Sequence, residues 1–322
     1  MKHKKKWWLL GLIVLVFAAI FYGWSQTNED SSSNLKTVII GYQPGSAWDV
    51  IKSRGKFAKE MEKKGYKIKY KEFQNGAAML EALATGDVDY APVGDTPPIS
   101  ALASGTKLTY VAAGNTQAKN SEVLVKKDSG INSLKDLKGK KIAYTKGTSS
   151  QYMVFQTLKK AGLSVDDVKW VNLDQNAAAV AYSKGKVDAW ATWDPMAAKA
   201  ELSSSSKVLT NGEETKALNR SFIVSPTSYA KNHRSISKLL IKYGEQEMTW
   251  INHHHTKVTN ILSNILSVPK KAIKLTVERQ TYGLYKMKKS YVTKEQKIAD
   301  KFYEENILSK HVNINKYVQY LN

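Results

Sequence analysis

The chain has 322 residues, 42% of them hydrophobic, which is enough for two globular domains and too apolar for wholesale disorder. It contains no cysteine, and that excludes disulfides, thiolate metal sites, a cysteine nucleophile and a lipid-modified cysteine within this sequence. The net charge of +21 comes from lysines scattered over amphipathic segments such as Lys52 to Lys71, without an arginine-rich helix, an RNP-like motif or zinc-finger spacing, so no nucleic-acid partner is expected.

Lys2, Lys4, Lys5 and Lys6 precede an uncharged run from Trp7 to Trp24, followed by polar residues Ser25 to Asn34. The run is just long enough to span a membrane, and its lysine flank belongs on the cytoplasmic side. Residues 1–24 are therefore expected to be a membrane anchor or signal segment, and 25–35 a polar linker. The aromatic end Phe21-Tyr22-Gly23-Trp24 fits an anchor better than a cleavage site. The rest of the chain would then lie outside the cytoplasm, tethered to the outer face of the membrane as in a Gram-positive bacterium, or secreted if the segment is cleaved.

Lys36 to Gly41 is β-branched and closed by glycine, as in a buried strand. Helical spacing follows from Trp48 to Lys64, then a strand over Tyr66–Glu72, a helix over Gln74–Thr85 and a strand over Val88–Val93. Pro97 and Pro98 suit the first turn of a helix to Ser104, ahead of a strand at Leu108–Ala113. A second unit opens with the extended run Glu122–Lys126 and a short helix near Leu134. It continues with strand Ile142–Tyr144, helix Gln151–Ala161, strand Val168–Leu173, helix Asn176–Lys184 and strand Val187–Thr192. Ser221–Ser225 reads as a return strand, and the remainder is mostly helical with a loop near Tyr285 to Tyr291.

The two units repeat one another. Gln74-Asn75-Gly76-Ala77-Ala78 leads to Gly86-Asp87-Val88-Asp89 and Gly94-Asp95-Thr96-Pro97-Pro98. A hundred residues later Gln175-Asn176-Ala177-Ala178-Ala179 leads to Gly185-Lys186-Val187-Asp188 and Trp193-Asp194-Pro195. Two βαβαβ copies predict two α/β lobes, each a mainly parallel sheet flanked by helices, facing one another across a cleft.

Ligands of open α/β sheets sit beyond the carboxyl ends of strands, where helix N-termini present free N–H groups. The six corresponding loops here hold Gln43 to Ala47, Gln74 to Ala77, Asp95 to Pro98, Lys146 to Ser150, Gln175 to Ala177 and Trp193 to Pro195. They are rich in small and hydroxyl residues, among them Ser46, Gly76, Thr96, Thr148, Ser149 and Ser150. Such a nest suits an oxyanion, above all a sulfonate, with Tyr42, Trp48 and Trp193 as candidates for an apolar wall. Thr96 and Asp194 also read as ordinary helix caps, Asp95 more so, and Trp193 also as a core residue. Arg220 is either an anion contact or a surface or interlobe ion pair. His253-His254-His255 cannot converge on one ion from a helix, no nucleophile–base set is recognisable, and neither metal, cofactor nor catalytic residues are expected.

Several strings resemble the substrate-binding proteins of ABC importers for aliphatic sulfonates, within the wider nitrate, sulfonate and taurine group. They are Ile40-Gly41-Tyr42-Gln43, Val93-Gly94-Asp95-Thr96-Pro97-Pro98, Asp136-Leu137-Lys138-Gly139-Lys140-Lys141, Lys146-Gly147-Thr148-Ser149, Trp193-Asp194-Pro195 and Glu278-Arg279 with Tyr282-Gly283. The resemblance implies a two-lobed type II periplasmic binding protein fold hinged by two crossover segments. Lobe 1 would be 36–118 plus 225–322 and lobe 2 119–224. It also implies a monomer that closes on a small organosulfonate, an alkanesulfonate or taurine, and passes it to a permease driven by an ATPase. Family-like ligand positions fall on Gln43, Gly76, Ala77, Thr96, Thr148, Ser149, Trp193 and Asp194; Trp48, Asn75, Ser150 and Arg220 complete the candidate set. Nitrate or bicarbonate, a thiamine precursor, or an enzyme on the same scaffold are the alternatives, the last weakened by the lack of cysteine.

Overall fold

The computed structural model describes residues 35–321, so the expected anchor and nearly all of the linker lie outside the described residues. Among the described residues eleven strands form two sheet systems. In the first, β1 (Lys36–Tyr42) pairs in parallel with β2 (Tyr66–Glu72), and a bridge from Ile40 to Tyr90 leads on to β3 (Ala91–Val93) and β4 (Leu108–Thr116). In the second, β5 (Ser121–Lys126), β6 (Lys141–Tyr144), β7 (Lys169–Asn172), β8 (Ala189–Trp193) and β9 (Ser206–Asn211) stand in the order β7-β6-β8-β5-β9. The chain then returns through β10 (Arg220–Pro226), which lies between β3 and β4, and β11 (Leu284–Lys286) closes the edge beside β4.

Each sheet is parallel except at the crossing strands and at the edge strand β11, which runs antiparallel to β4. β10 runs antiparallel to β3 and β4, and β5 runs antiparallel to β8 and β9. Each crossing strand inserts between strands of its new sheet, β5 between β8 and β9 and β10 between β4 and β3. All of β10, from Arg220 on, pairs with β3 and β4, ahead of the boundary expected at 224–225. β9 was not foreseen in the sequence.

The internal repeat has a structural cause. Asp89 and Asp188 are equivalent, and each accepts a backbone N–H at 2.7 Å from the strand that opens its βαβαβ copy, from Ile39 of β1 and Lys141 of β6 respectively. Each also donates its own N–H to that same residue's carbonyl at 2.9 Å. The preceding glycines, Gly86 at φ 83° and Gly185 at φ 65°, occupy the left-handed region where a side chain is strained. The helix expected over Trp48–Lys64 is instead two, Ala47–Arg54 and Lys56–Glu62, because Gly55 at φ 67° ends the first with a left-handed cap.

The lobes meet at two seams. On one, Tyr152 and Phe155 of the helix Ser149–Ala161 pack edge-on against Phe302 of the helix Lys289–Glu304, with ring centroids 5.3 and 6.4 Å apart. Phe302 is completely buried. The other seam is ionic and adjoins the cleft.

Candidate ligand-binding cleft

Between the sheets lies a cavity of about 120 Å³, several times the ~30 Å³ that a water molecule occupies in the liquid. Three helices begin at it, each capped so that only part of its first turn is satisfied. Ser46 caps Ala47–Arg54 by accepting from Asp49 N–H, and the Ala47 and Trp48 positions remain on the cavity wall. Asn75 caps Gly76–Ala84 through Ala78 N–H at 3.0 Å, which leaves Gly76 facing the cavity. Thr148 caps Ser149–Ala161, accepting from Ser150 N–H at 3.3 Å and donating to Thr145 C=O at 2.8 Å, with Ser149 next to it on the wall. The positive ends of three helix dipoles thus point at one small space.

Gly76 is required by close approach: a Cβ there would meet Pro97 Cγ at 2.9 Å. Trp48 from the first lobe and Trp193 from the second supply apolar walls, with Met248 and Leu284 behind. Trp48 is 4% exposed and packs edge-on against Phe57, so it serves core and cavity together.

Six of the twelve candidate residues line this cavity: Gln43, Trp48, Gly76, Thr148, Ser149 and Trp193. The other six are placed elsewhere. Asn75 spends its side chain on the cap, and Ala77 sits at the lip, where its Cβ faces Gly147 of the other lobe. Ser150 is buried, accepting from Thr145 N–H at 3.1 Å and donating to Ala191 C=O at 2.9 Å, a tie between helix and β8. Thr96 is fully buried and donates to Asp95 at 3.1 Å. Asp95 does not cap its helix; its other oxygen accepts Arg220 N–H at 3.2 Å, and burial lifts its pKa to about 6 against these hydrogen bonds. Arg220 itself donates to Gly114 C=O and lies 4.4 Å over the Tyr291 ring, so it is neither an anion contact nor an ion pair in this arrangement. Tyr42, proposed as a wall, is buried instead, donating its hydroxyl to Glu72 and accepting from Lys52.

Asp194, and not Arg220, makes an interlobe ion pair, with Arg279 as its partner. Arg279 Nε donates to Asp194 Oδ2 at 2.7 Å and a second guanidinium N–H reaches Oδ1, which also accepts Ala198 N–H at 3.0 Å. Asp194 thus also receives a helix N–H, although Pro195 and not Asp194 stands at the cap position of the helix Met196–Glu201.

Amides missed by the sequence reading complete the cavity. Asn115, Gln117, Asn120 and Asn219 line it from the two crossover segments, and Thr281 and Tyr282 from the loop after Arg279. Asn219 is 6% exposed at φ 46°, and its Oδ1 has no hydrogen-bond partner among the described residues. The density of amides between the apolar runs of β4 and β5 was the available signal. No charged side chain belongs to the cavity lining among the described residues.

The family described as NMT1/THI5 like matches residues 57–245, more than half of the chain. The chain belongs to that family. It is 30% identical over 308 residues to a Bacillus subtilis (strain 168) protein named for the binding of aliphatic sulfonates, covering 94% of this chain and 92% of the relative. The alkanesulfonate-binding protein SsuA from Xanthomonas axonopodis pv. citri, bound to MOPS, matches with a TM-score of 0.84 at 29% identity. That match covers 89% of this chain and 99% of the other. The desulfurization enzyme DSZB shares the fold alone, with a TM-score of 0.63 at 14% identity over 88% of this chain and 96% of its own.

Proposed function

We propose that this chain is the extracytoplasmic solute-binding subunit of an ABC importer and that it captures a small organosulfonate between its lobes. The observation that carries this reading is a cavity fed by three helix N-termini and lined by neutral donors and two tryptophans, with no charged side chain among its described lining residues. A sulfonate is ionised at every ordinary pH and offers three acceptors. It needs donors rather than a proton or a counter-ion. Gly76 and Ser149 lie where the head group would meet backbone N–H groups, while Trp48 and Trp193 would flank the carbon chain. The similarity to the B. subtilis and X. axonopodis proteins supports the same class of ligand.

Within that class an uncharged tail fits better than taurine. Taurine's ammonium would want a carboxylate, and Asp95 and Asp194 are both committed to internal partners. The proposal is capture without turnover, followed by delivery to a membrane permease and its ATPase, with residues 7–24 as tether and a monomer as the working unit. Titration calorimetry with ethanesulfonate, taurine, nitrate, sulfate, bicarbonate and a thiamine precursor tests it. Ethanesulfonate is expected to bind most tightly, and heat from none of the sulfonates would sink the assignment.

A further inference from the structure

We propose that Arg279 is the positioning residue that holds the second lobe over the cleft, through one guanidinium shared among Asp194, Glu122 and Glu201. The inference rests on the cleft being a closing ligand site. Arg279 ends the helix Lys270–Glu278, which belongs to the C-terminal part of the first lobe. All three of its carboxylate partners belong to the second. Glu122 is in β5, Asp194 immediately follows β8, and Glu201 ends the helix Met196–Glu201.

Besides the two-pronged contact with Asp194, Arg279 Nη1 donates to Glu122 Oε1 at 2.6 Å and to Glu201 Oε2 at 2.9 Å. Among the described residues no other ion pair joins the two lobes. The Arg279 side chain is 11% exposed and that of Asp194 2%, so their charges attract one another with little screening by water, while Glu122, 4% exposed, accepts as a buried hydrogen-bond partner.

The cluster also grips both walls of the cavity. Asp194 is bonded to Trp193 in the second lobe, and Tyr282 follows Arg279 by three residues in the first. A small annex lined by Gln43, Trp193, Asp194, Thr276, Gln280 and Tyr282 lies between cavity and cluster. Parting the lobes would strip a buried guanidinium of three acceptors at once, and a fork that fits a carboxylate in two places is either engaged or lost. Arg279 is not among the cavity-lining residues, so it acts by placing Trp193 and Tyr282.

The sequence has no cysteine, so Lys64→Cys and Lys184→Cys, both at exposed positions on opposite lobes, label uniquely for an interlobe distance measurement on the full-length chain. In the otherwise wild-type protein a short-distance population is expected. In Arg279→Gln its ratio to the long-distance population should fall at least tenfold, with and without ethanesulfonate, and the ethanesulfonate Kd should rise by a similar factor. Arg279→Lys, which keeps the charge but not the fork, should fall between. Glu201→Gln, at the rim of the cluster, should give a smaller shift in the same direction and stands in if Arg279→Gln does not fold. Distance distributions that coincide with wild type, with a Kd within twofold, would overturn the proposal. If wild type binds no sulfonate, the functional assignment fails, and the distance shift on its own still decides the role of Arg279.

Discussion

The two seams between the lobes hold them by different physics. Tyr152 and Phe302, with Phe155 against the latter, form an apolar contact that Tyr152 and Phe302 join to the main core, whereas Arg279 and its carboxylates form a directional one beside the cleft. Dispersion and apolar burial change gradually when rings slide over one another, so that seam can stay in contact through a modest rotation. A two-pronged guanidinium–carboxylate pair tolerates no such slippage. The contrast assigns a pivot to the aromatic seam and a catch to the ionic one.

The largest expected effect comes from breaking the pivot. Phe302→Ala removes a fully buried ring and should cost about 3–5 kcal/mol of unfolding free energy, read from urea midpoints, because the cavity it leaves lies in the shared core. Asp194→Asn strikes the catch instead. It should lower the ligand-free unfolding midpoint less than Phe302→Ala does while raising the ethanesulfonate Kd by roughly tenfold to a hundredfold, since a carboxylate lost from a buried pair costs about as much as a few kcal/mol. If both variants lose stability alike, the distinction between pivot and catch fails.

A smaller effect follows from pH. Burial, together with Glu201 and Asp194, outweighs the pull of Arg279 and lifts Glu122 to about 8 from its ordinary 4.5; burial also raises Asp194. A carboxyl with a raised pKa disfavours the state that raises it, at any pH where water would ionise it. The closed arrangement holds protons that the parted lobes would release. Sulfonate binding should therefore weaken as pH climbs from about 4.5 to about 8 and level off beyond, which calorimetry across that window would measure. The smallest change expected is in Glu122→Gln. It should flatten this pH profile with little effect on Kd at pH 5, because Arg279 keeps Asp194 and Glu201.

What the sequence made legible was local. Period-two runs, helix spacing and the repeated Gly-x-Val-Asp string located most elements, and the helix-start loops placed Gln43, Gly76, Thr148, Ser149 and Trp193 at the cleft. What it hid depends on distant partners. Arg279 meets carboxylates 157, 85 and 78 positions away, and nothing in the string Glu278-Arg279 reveals them. The reversed direction of β5 and β10 was equally hidden, since strand polarity follows from the path of the crossover and not from side-chain alternation. Asp194 and Arg220 were hard to place for the same reason: an acid or base near a cleft looks alike in sequence whether it faces a ligand or a buried partner.

The exchanged strands also govern assembly during synthesis. The second sheet is complete once Asn211 has emerged, because β5 through β9 are contiguous. The first sheet must wait for Arg220–Pro226 to separate β3 from β4, and for Leu284–Lys286 to finish its edge. The half of the molecule that begins translation is thus the last to close its hydrogen-bond ladder, and a nascent chain halted near residue 215 would display one finished lobe beside an open, template-like gap.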